Sequence, residues 1–267
     1  IADMSGMFKD CRSLTQLDLS GWNTTQVTNM SEMFSGCSSL LSLDLSSFTT
    51  KAVTTFSQMF AGCTSLTNLN LSSFSSVQSA YNNRLTNMSG MFLNCEELTA
   101  VDISGIITYN VTNFSSLYEG CKSMESIDVS KLQTNNCRNF SRMFAGCEKL
   151  KSIDVSDFIV GSSAWYPPMN DMFNGCSALE GITFAIENNR FEVRSNDISG
   201  MFKDCTSLTD IDLSTFNTRH TENMSSMFEG CTGLTQLDLS PFYTDALTNF
   251  SRMFAGCVNL EHIYVYP

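Results

Sequence analysis

The stretch Asn29-Met30-Ser31-Glu32-Met33-Phe34-Ser35-Gly36-Cys37, followed by Leu40-Leu41-Ser42-Leu43-Asp44-Leu45-Ser46, Phe48 and Val53, decides the fold. Met30, Met33, Phe34 and Cys37 fall at i, i+3, i+4 and i+7, which predicts one apolar face of a short helix. Ser31 suits its N-cap, and Gly36 suits the left-handed turn that ends it. The period then changes. Leu40, Leu43 and Leu45 follow L-x-x-L-x-L, whose last two leucines alternate along a strand and point the same way. Phe48 and Val53 return the chain to the next helix.

The same unit recurs at Cys11, Cys37, Cys63, Cys95, Cys121, Cys147, Cys176, Cys205, Cys231 and Cys257, mostly at steps of 26 residues, and coils 1 to 10 are numbered by these cysteines. Met-Phe precedes each cysteine at a fixed offset, with Leu117-Tyr118 as the exception. The leucine triad drifts to Leu98, Val101, Ile103 and to Met124, Ile127, Val129, so apolarity holds while identity changes. A fixed period of this size marks a stack of units too small to bury their own apolar faces. The sequence therefore predicts an α/β solenoid, a leucine-rich-repeat right-handed stack of about ten 26-residue coils, each a short helix plus a short strand in a parallel sheet. At a strand spacing of about 4.8 Å the body is roughly 50 Å long. The repeat runs from end to end without a linker, so residues 1–267 read as a single domain. Neither end shows a polar capping unit, so the chain reads as a segment of something longer, or its caps lie elsewhere.

Composition limits function. A net charge of −12 argues against nucleic acid, whose phosphates call for clustered Lys and Arg. No apolar run approaches the roughly 18 residues of a spanning helix, so no direct membrane insertion is expected of this segment. The cysteine steps are not the paired C-x-x-C spacing of a zinc site. Bridges between adjacent coils would need demanding geometry, and free Cys is among the most buried residue types; a ladder of reduced, buried thiols is expected. Cys137 stands where other coils place Val27, Val53 and Val111, as a small hydrophobe.

The string Met-Phe-x-Gly-Cys-x-x-Leu-x-x-Leu-Asp-Leu-Ser-x-Phe-x-Thr-x-x-Val-Thr-Asn-Met-Ser is clearest at residues 33–57, 7–31 and 227–251. It resembles the 26-residue bacterial surface protein repeat of the BspA-like leucine-rich repeats, also found in mycoplasma lipoproteins. The resemblance implies a bacterial cell-surface or secreted protein that binds host or neighbouring-cell molecules. It brings no catalytic residues and no cofactor.

Three departures from the period place extra residues between a strand and the next helix, near 75–84, 159–168 and 188–195. Insertions in a repeat protein are extruded as loops, often on the binding face. Tyr81 and Arg84, Trp165 and Tyr166, and Arg190, Phe191 and Arg194 are the residue types that most often carry interface energy, and form the candidate partner site. The alternative is that Trp165 or Phe191 folds back over a disturbed core. A second surface lies between the inward leucines, where Asp18, Asp44, Asp102, Asp128, Asp154, Asp212 and Asp238 recur. In register, neighbouring carboxylates about 5 Å apart repel by roughly 0.9 kcal/mol in water, so something should offset them. Either loop N–H groups and Ser or Thr hydroxyls do so, or the stripe takes cations or a basic partner. Asn29, Asn87, Asn113, Asn139, Asn223 and Asn249 fit glycosylation triplets, but their fixed place before each helix suits turn and cap residues. Thr24-Thr25, Thr49-Thr50 and Thr244 raise the remoter idea of an ice- or glycan-binding face.

Catalysis finds no support in the residues. His220 and His262 lie in different coils and neither is paired with a nucleophile; no phosphate loop, HExxH or metal triad is present. The expectation is a non-enzymatic binding scaffold for a protein or other cell-surface ligand. A structural spacer that holds other domains away from the cell surface is the alternative.

Overall fold

The computed structural model describes residues 1–74, 84–160, 166–184 and 193–265. The chain is wound as stacked coils, and the join between one coil and the next is a ladder of backbone hydrogen bonds. Met30, Glu32, Phe34 and Gly36 donate to the carbonyls of Thr55, Ser57, Met59 and Ala61 in the following coil, at 2.7 to 3.3 Å. The residues between them bond locally: Met33 donates to Met30, Ser35 to Glu32, and Cys37 to Phe34, at 3.0 to 3.4 Å.

This alternation overturns the helix. Among the described residues there is no helix, and the Met-Phe segment is a run of successive tight turns. The apolar spacing that suggested a helix is kept, because Met30, Met33, Phe34 and Cys37 are all buried. What differs is the partner of every second amide, which lies one coil away instead of four residues back. Two residues per coil take the left-handed conformation to make this zigzag, five residues and one residue before the cysteine. In the second coil they are Glu32 (φ 55°) and Gly36 (φ 75°). The turn glycine foreseen at Gly36 is therefore real, and Ser31 is no helix cap: its N–H and hydroxyl both donate to Asn29 Oδ1.

The strands are short and paired in twos. β1 (Asn68–Asn70) pairs in parallel with β2 (Ala100–Asp102), β3 (Ser152–Asp154) with β4 (Gly181–Thr183), and β5 (Gln236–Asp238) with β6 (His262–Tyr264). Among the described residues these are three two-stranded sheets in place of one sheet running the length of the stack. Their brevity has a local cause. In β1, β2, β3 and β5 the third residue is Asp or Asn, and its Oδ1 accepts the N–H two residues on, which turns the chain out of the extended conformation.

Side chains inside the stack form columns. Ten rings from Phe8 through Phe34, Phe60, Phe92, Tyr118, Phe144, Phe173, Phe202 and Phe228 to Phe254 lie 5.3 to 6.1 Å apart and within 20° of parallel. Offset stacks of this spacing add about 0.5–1.5 kcal/mol per pair beyond burial. Beside them runs a thiol column. Each cysteine from Cys37 to Cys257, Cys137 aside, points its Sγ at the carbonyl oxygen of the preceding coil's Phe or Tyr, at 2.9 to 3.2 Å. All eleven thiols are unbridged, and Cys137 is buried where the valines of other coils are. Burial pushes the thiols up: Cys37 to about 11, Cys95 and Cys176 to about 12.

A third column is polar. Thr24, Thr108, Thr134 and Thr218 are buried, and each hydroxyl accepts the N–H and donates to the C=O of one residue in the next coil, at 2.7 to 3.4 Å. Thr24 and Thr50 thus belong to the interior, which removes them from any ice- or glycan-binding face.

Candidate functional site

The candidate site lies on the loops that follow the strands, where every sequence insertion falls. Tyr81, Trp165, Arg190 and Phe191 lie outside the described residues. Arg84 is exposed in the return to coil 4, three coils before Tyr166, and the two are not brought together. Tyr166 and Arg194 are both half-buried.

Tyr166 is followed by the buried Pro167 and by Pro168, whose carbonyl accepts the Phe140 amide at 3.0 Å. Its ring rests on the imidazole of His220, with centroids 4.3 Å apart and planes tilted by 38°. The His220 loop is rigidly seated. Thr221 Oγ1 donates to the Ser195 carbonyl at 2.7 Å, and the Thr218 hydroxyl joins that coil to Tyr243. Between them, the Arg219 guanidinium lies 3.8 Å from the centre of the Tyr243 ring, and that ring is 42 % exposed. Arg194 enters the same stretch of surface because Val193 bridges to Phe216 on one side of it and Ser195 anchors Thr221 on the other. Tyr166 and His220 therefore form an aromatic pair, and the neighbouring Arg219 forms a cation–π pair with Tyr243. The insertion rule finds Tyr166 alone among these, because His220, Arg219 and Tyr243 sit in coils of ordinary length. The signal for them was the adjacent Arg-His, a pair that no other coil carries at this place.

The acidic stripe has a structural partner at each position. Asp18, Asp44, Asp102, Asp128, Asp154, Asp212 and Asp238 each accept, on Oδ1, the backbone N–H of the serine two residues on, at 2.8 to 2.9 Å. Those serine contacts hold Asp18, Asp44, Asp102, Asp128 and Asp238 below the usual carboxylate range. All seven aspartates are exposed. Asn70 makes the same bond, so the amide can stand in for the acid in this turn. The triplet asparagines do likewise: Asn29, Asn87, Asn113, Asn139, Asn223 and Asn249 accept the N–H of the following serine at 2.9 to 3.1 Å.

On the turn face, charges link neighbouring coils. Arg142 donates to Glu119 at 2.7 Å and lies 3.5 Å from Asp171, and Lys203 and Arg252 both engage Glu229. The Arg252 guanidinium, 2.6 Å away, holds the Glu229 carboxyl down to about 2. Among the described residues, no helix is long and apolar enough to cross a membrane, and no group of three or more His, Cys, Asp or Glu is placed to hold a metal ion.

No curated protein matches the chain. Among solved structures it is similar to a leucine-rich cell surface protein of Faecalibacterium prausnitzii, with 17% identity over 100% of this chain and 77% of that one and a TM-score of 0.41. It is similar as well to a leucine-rich repeat protein of Bacteroides ovatus, with 17% identity over 98% of this chain and 82% of that one, at a TM-score of 0.26. An internalin of Listeria monocytogenes is 12% identical over 91% of this chain and 82% of that one, at a TM-score of 0.21. No enzyme family is indicated. A family model matches residues 1–85, 75–184 and 168–264, and the chain belongs to the family it describes, "Mycoplasma protein of unknown function, DUF285".

Proposed function

We propose that the chain is a non-enzymatic protein-binding scaffold of the BspA-like kind, one elongated domain displayed at a bacterial cell surface or secreted, and that it recognises a host or neighbouring-cell protein. The observation that carries this reading is the patch of Tyr166, His220, Arg219 and Tyr243, an aromatic pair and a cation–π pair held on loops whose backbones are pinned to the adjacent coils. Tyr and Arg on a rigid base lose little conformational freedom on docking, which is the economical way to bind through few side chains. Arg194 belongs to this contact surface, and Tyr81, Arg84, Trp165, Arg190 and Phe191 are the further contact residues we propose from the sequence. The acidic stripe is a secondary surface whose exposed aspartates can meet a basic partner.

The test is quantitative capture of surface-labelled cell proteins by the chain and by a Tyr166→Ala/Tyr243→Ala variant. Capture of the main partner falls by about tenfold or more in the variant, while the melting temperature stays within about 2 °C. Equal capture by both would remove the patch and leave the spacer role standing.

A further inference from the structure

We propose that the loop edge around Arg194 and Arg219 recognises an acidic, extended segment of the partner protein, whose carboxylates meet the two guanidinium groups. The inference rests on the scaffold reading above and adds to it the chemistry of the partner. It starts from how charge is divided over the coils. Each coil returns to the next through a segment that starts at Ser20 or its counterpart and stops before Asn29 or its counterpart. These return segments are residues 20–28, 46–54, 72–86, 104–112, 130–138, 156–167, 185–196, 214–222 and 240–248. They hold seven of the 15 Lys and Arg but only five of the 27 Asp and Glu. Seven against five gives the return edge +2, which leaves −14 for the rest of the −12 total.

Ion pairing divides in the same way. The ion pairs between described residues, such as Glu119 with Arg142 and Glu229 with Arg252, all lie outside the return segments. On the return edge Arg219 is exposed, and its guanidinium lies 3.8 Å from the centre of the Tyr243 ring instead of against a carboxylate. Glu222 and Asp245 are the acids of the same stretch, and among the described residues neither pairs with Arg219. A guanidinium stacked on a ring keeps its N–H edge for a planar acceptor.

The backbone fixes where these groups stand. The Glu222 amide donates to the Asn196 carbonyl at 2.9 Å, so His220 and Arg194, two residues before each, are neighbours in adjacent coils. The bond from Thr221 Oγ1 to the Ser195 carbonyl, at 2.7 Å, sets the same register. Arg219 is thus one coil and one residue from Arg194, which puts their Cα atoms about 6 Å apart. Alternate residues of an extended chain are about 6.7 Å apart and point the same way. Acidic side chains at alternate positions therefore match the two arginines, each in a planar two-bond contact. His220, beside Arg194, carries the Tyr166 ring at 4.3 Å, a flat aromatic floor for the residues that flank the acids. Two fixed cations suit a short acidic segment better than a nucleic acid or a sulfated polysaccharide. A long polyanion would set most of its charges against the acids of a chain at −12.

Fluorescence anisotropy with a short labelled peptide of alternating Glu and Ser tests this, beside the same peptide with Gln for Glu and a labelled heparin oligosaccharide. The parent chain binds the Glu peptide about tenfold more tightly than the Gln peptide. An Arg194→Gln/Arg219→Gln variant loses that preference with its melting temperature within about 2 °C of the parent's. Lys149→Gln, an exposed charge removed outside the return segments, keeps the preference. Equal binding of both peptides by the parent overturns the proposal, and so does an equal loss in the two variants. Tighter binding of heparin through the same arginines overturns it as well, in favour of a polysaccharide. Capture of surface-labelled proteins by the arginine variant separates this from the scaffold reading. Capture kept there but lost in Tyr166→Ala/Tyr243→Ala strikes the acidic partner and leaves the scaffold standing.

Discussion

At the scale of single residues, Tyr118 is the informative exception. It takes the place of phenylalanine in the ring column between Phe92 and Phe144, fully buried, and its hydroxyl has no hydrogen-bond partner. A buried hydroxyl left unpaired costs about 1–3 kcal/mol. Tyr118→Phe keeps the ring and removes the orphan, so it should stabilise the fold by about 1 kcal/mol in chemical denaturation; a loss of stability would mean that the hydroxyl is bonded. The cysteines were legible as interior from their place on an apolar face. Their bond to the previous coil's carbonyl was not, because that carbonyl lies 29 residues back at the 26-residue joins, a separation no local pattern reveals. The aspartates show the reverse. Their serine partners are two residues away, so a turn bond was among the readings the sequence offered, and it is the bond seen.

At the scale of elements, the segment read as a helix is a ladder of turns, and the error has a physical source. Spacing of i, i+3, i+4 and i+7 reports which side chains face inward and is silent on whether an amide bonds to its own coil or the next. The backbone angles, which the sequence does not give, decide it. A left-handed residue at Gly36 is an ordinary helix terminator, but a second one at Glu32, four residues earlier, excludes a helix between them. The account makes a graded prediction here. Gly62→Ala meets only ordinary contacts with Gly36, so its cost is the backbone strain of φ +73°, about 1 kcal/mol. Gly120→Ala carries the same strain, and its Cβ would also stand 2.3 Å from Asn94 Oδ1. Its loss in thermal or denaturant melts should exceed that of Gly62→Ala by about 1–2 kcal/mol. Adding Asn94→Gly should return most of that excess. Equal losses at the two glycines would show that the amide does not press on the next coil.

At the scale of the whole molecule, stability should fall on both sides of neutrality. Asp18, Asp44, Asp102, Asp128 and Asp238 are held below their ordinary range by the serine contacts, and Glu229 is held to about 2 by Arg252. Groups depressed in this way contribute stability above the unfolded values near about 4, and lose it as pH falls through the folded ones. The buried thiols are raised, so their contribution is complete below about 8.5 and drains away as pH rises toward the folded values. Calorimetry in reducing buffer should show a plateau of melting temperature from about pH 5 to 8 with a decline on each flank. A melting temperature that climbs below pH 4 would contradict the carboxylate assignments. The ten-coil plan was fully legible because a period repeated ten times over-determines itself. Of the residues in the aromatic patch the insertion rule singles out Tyr166 alone, because contacts across coils of normal length leave no mark in the spacing. The central claim is that successive coils are joined through alternate turn amides, and trans-hydrogen-bond scalar coupling measured by NMR on deuterated chain tests it most directly. The account predicts a correlation between the Phe34 amide nitrogen and the Met59 carbonyl carbon, whereas one between Phe34 and Met30 would restore the helix and contradict it.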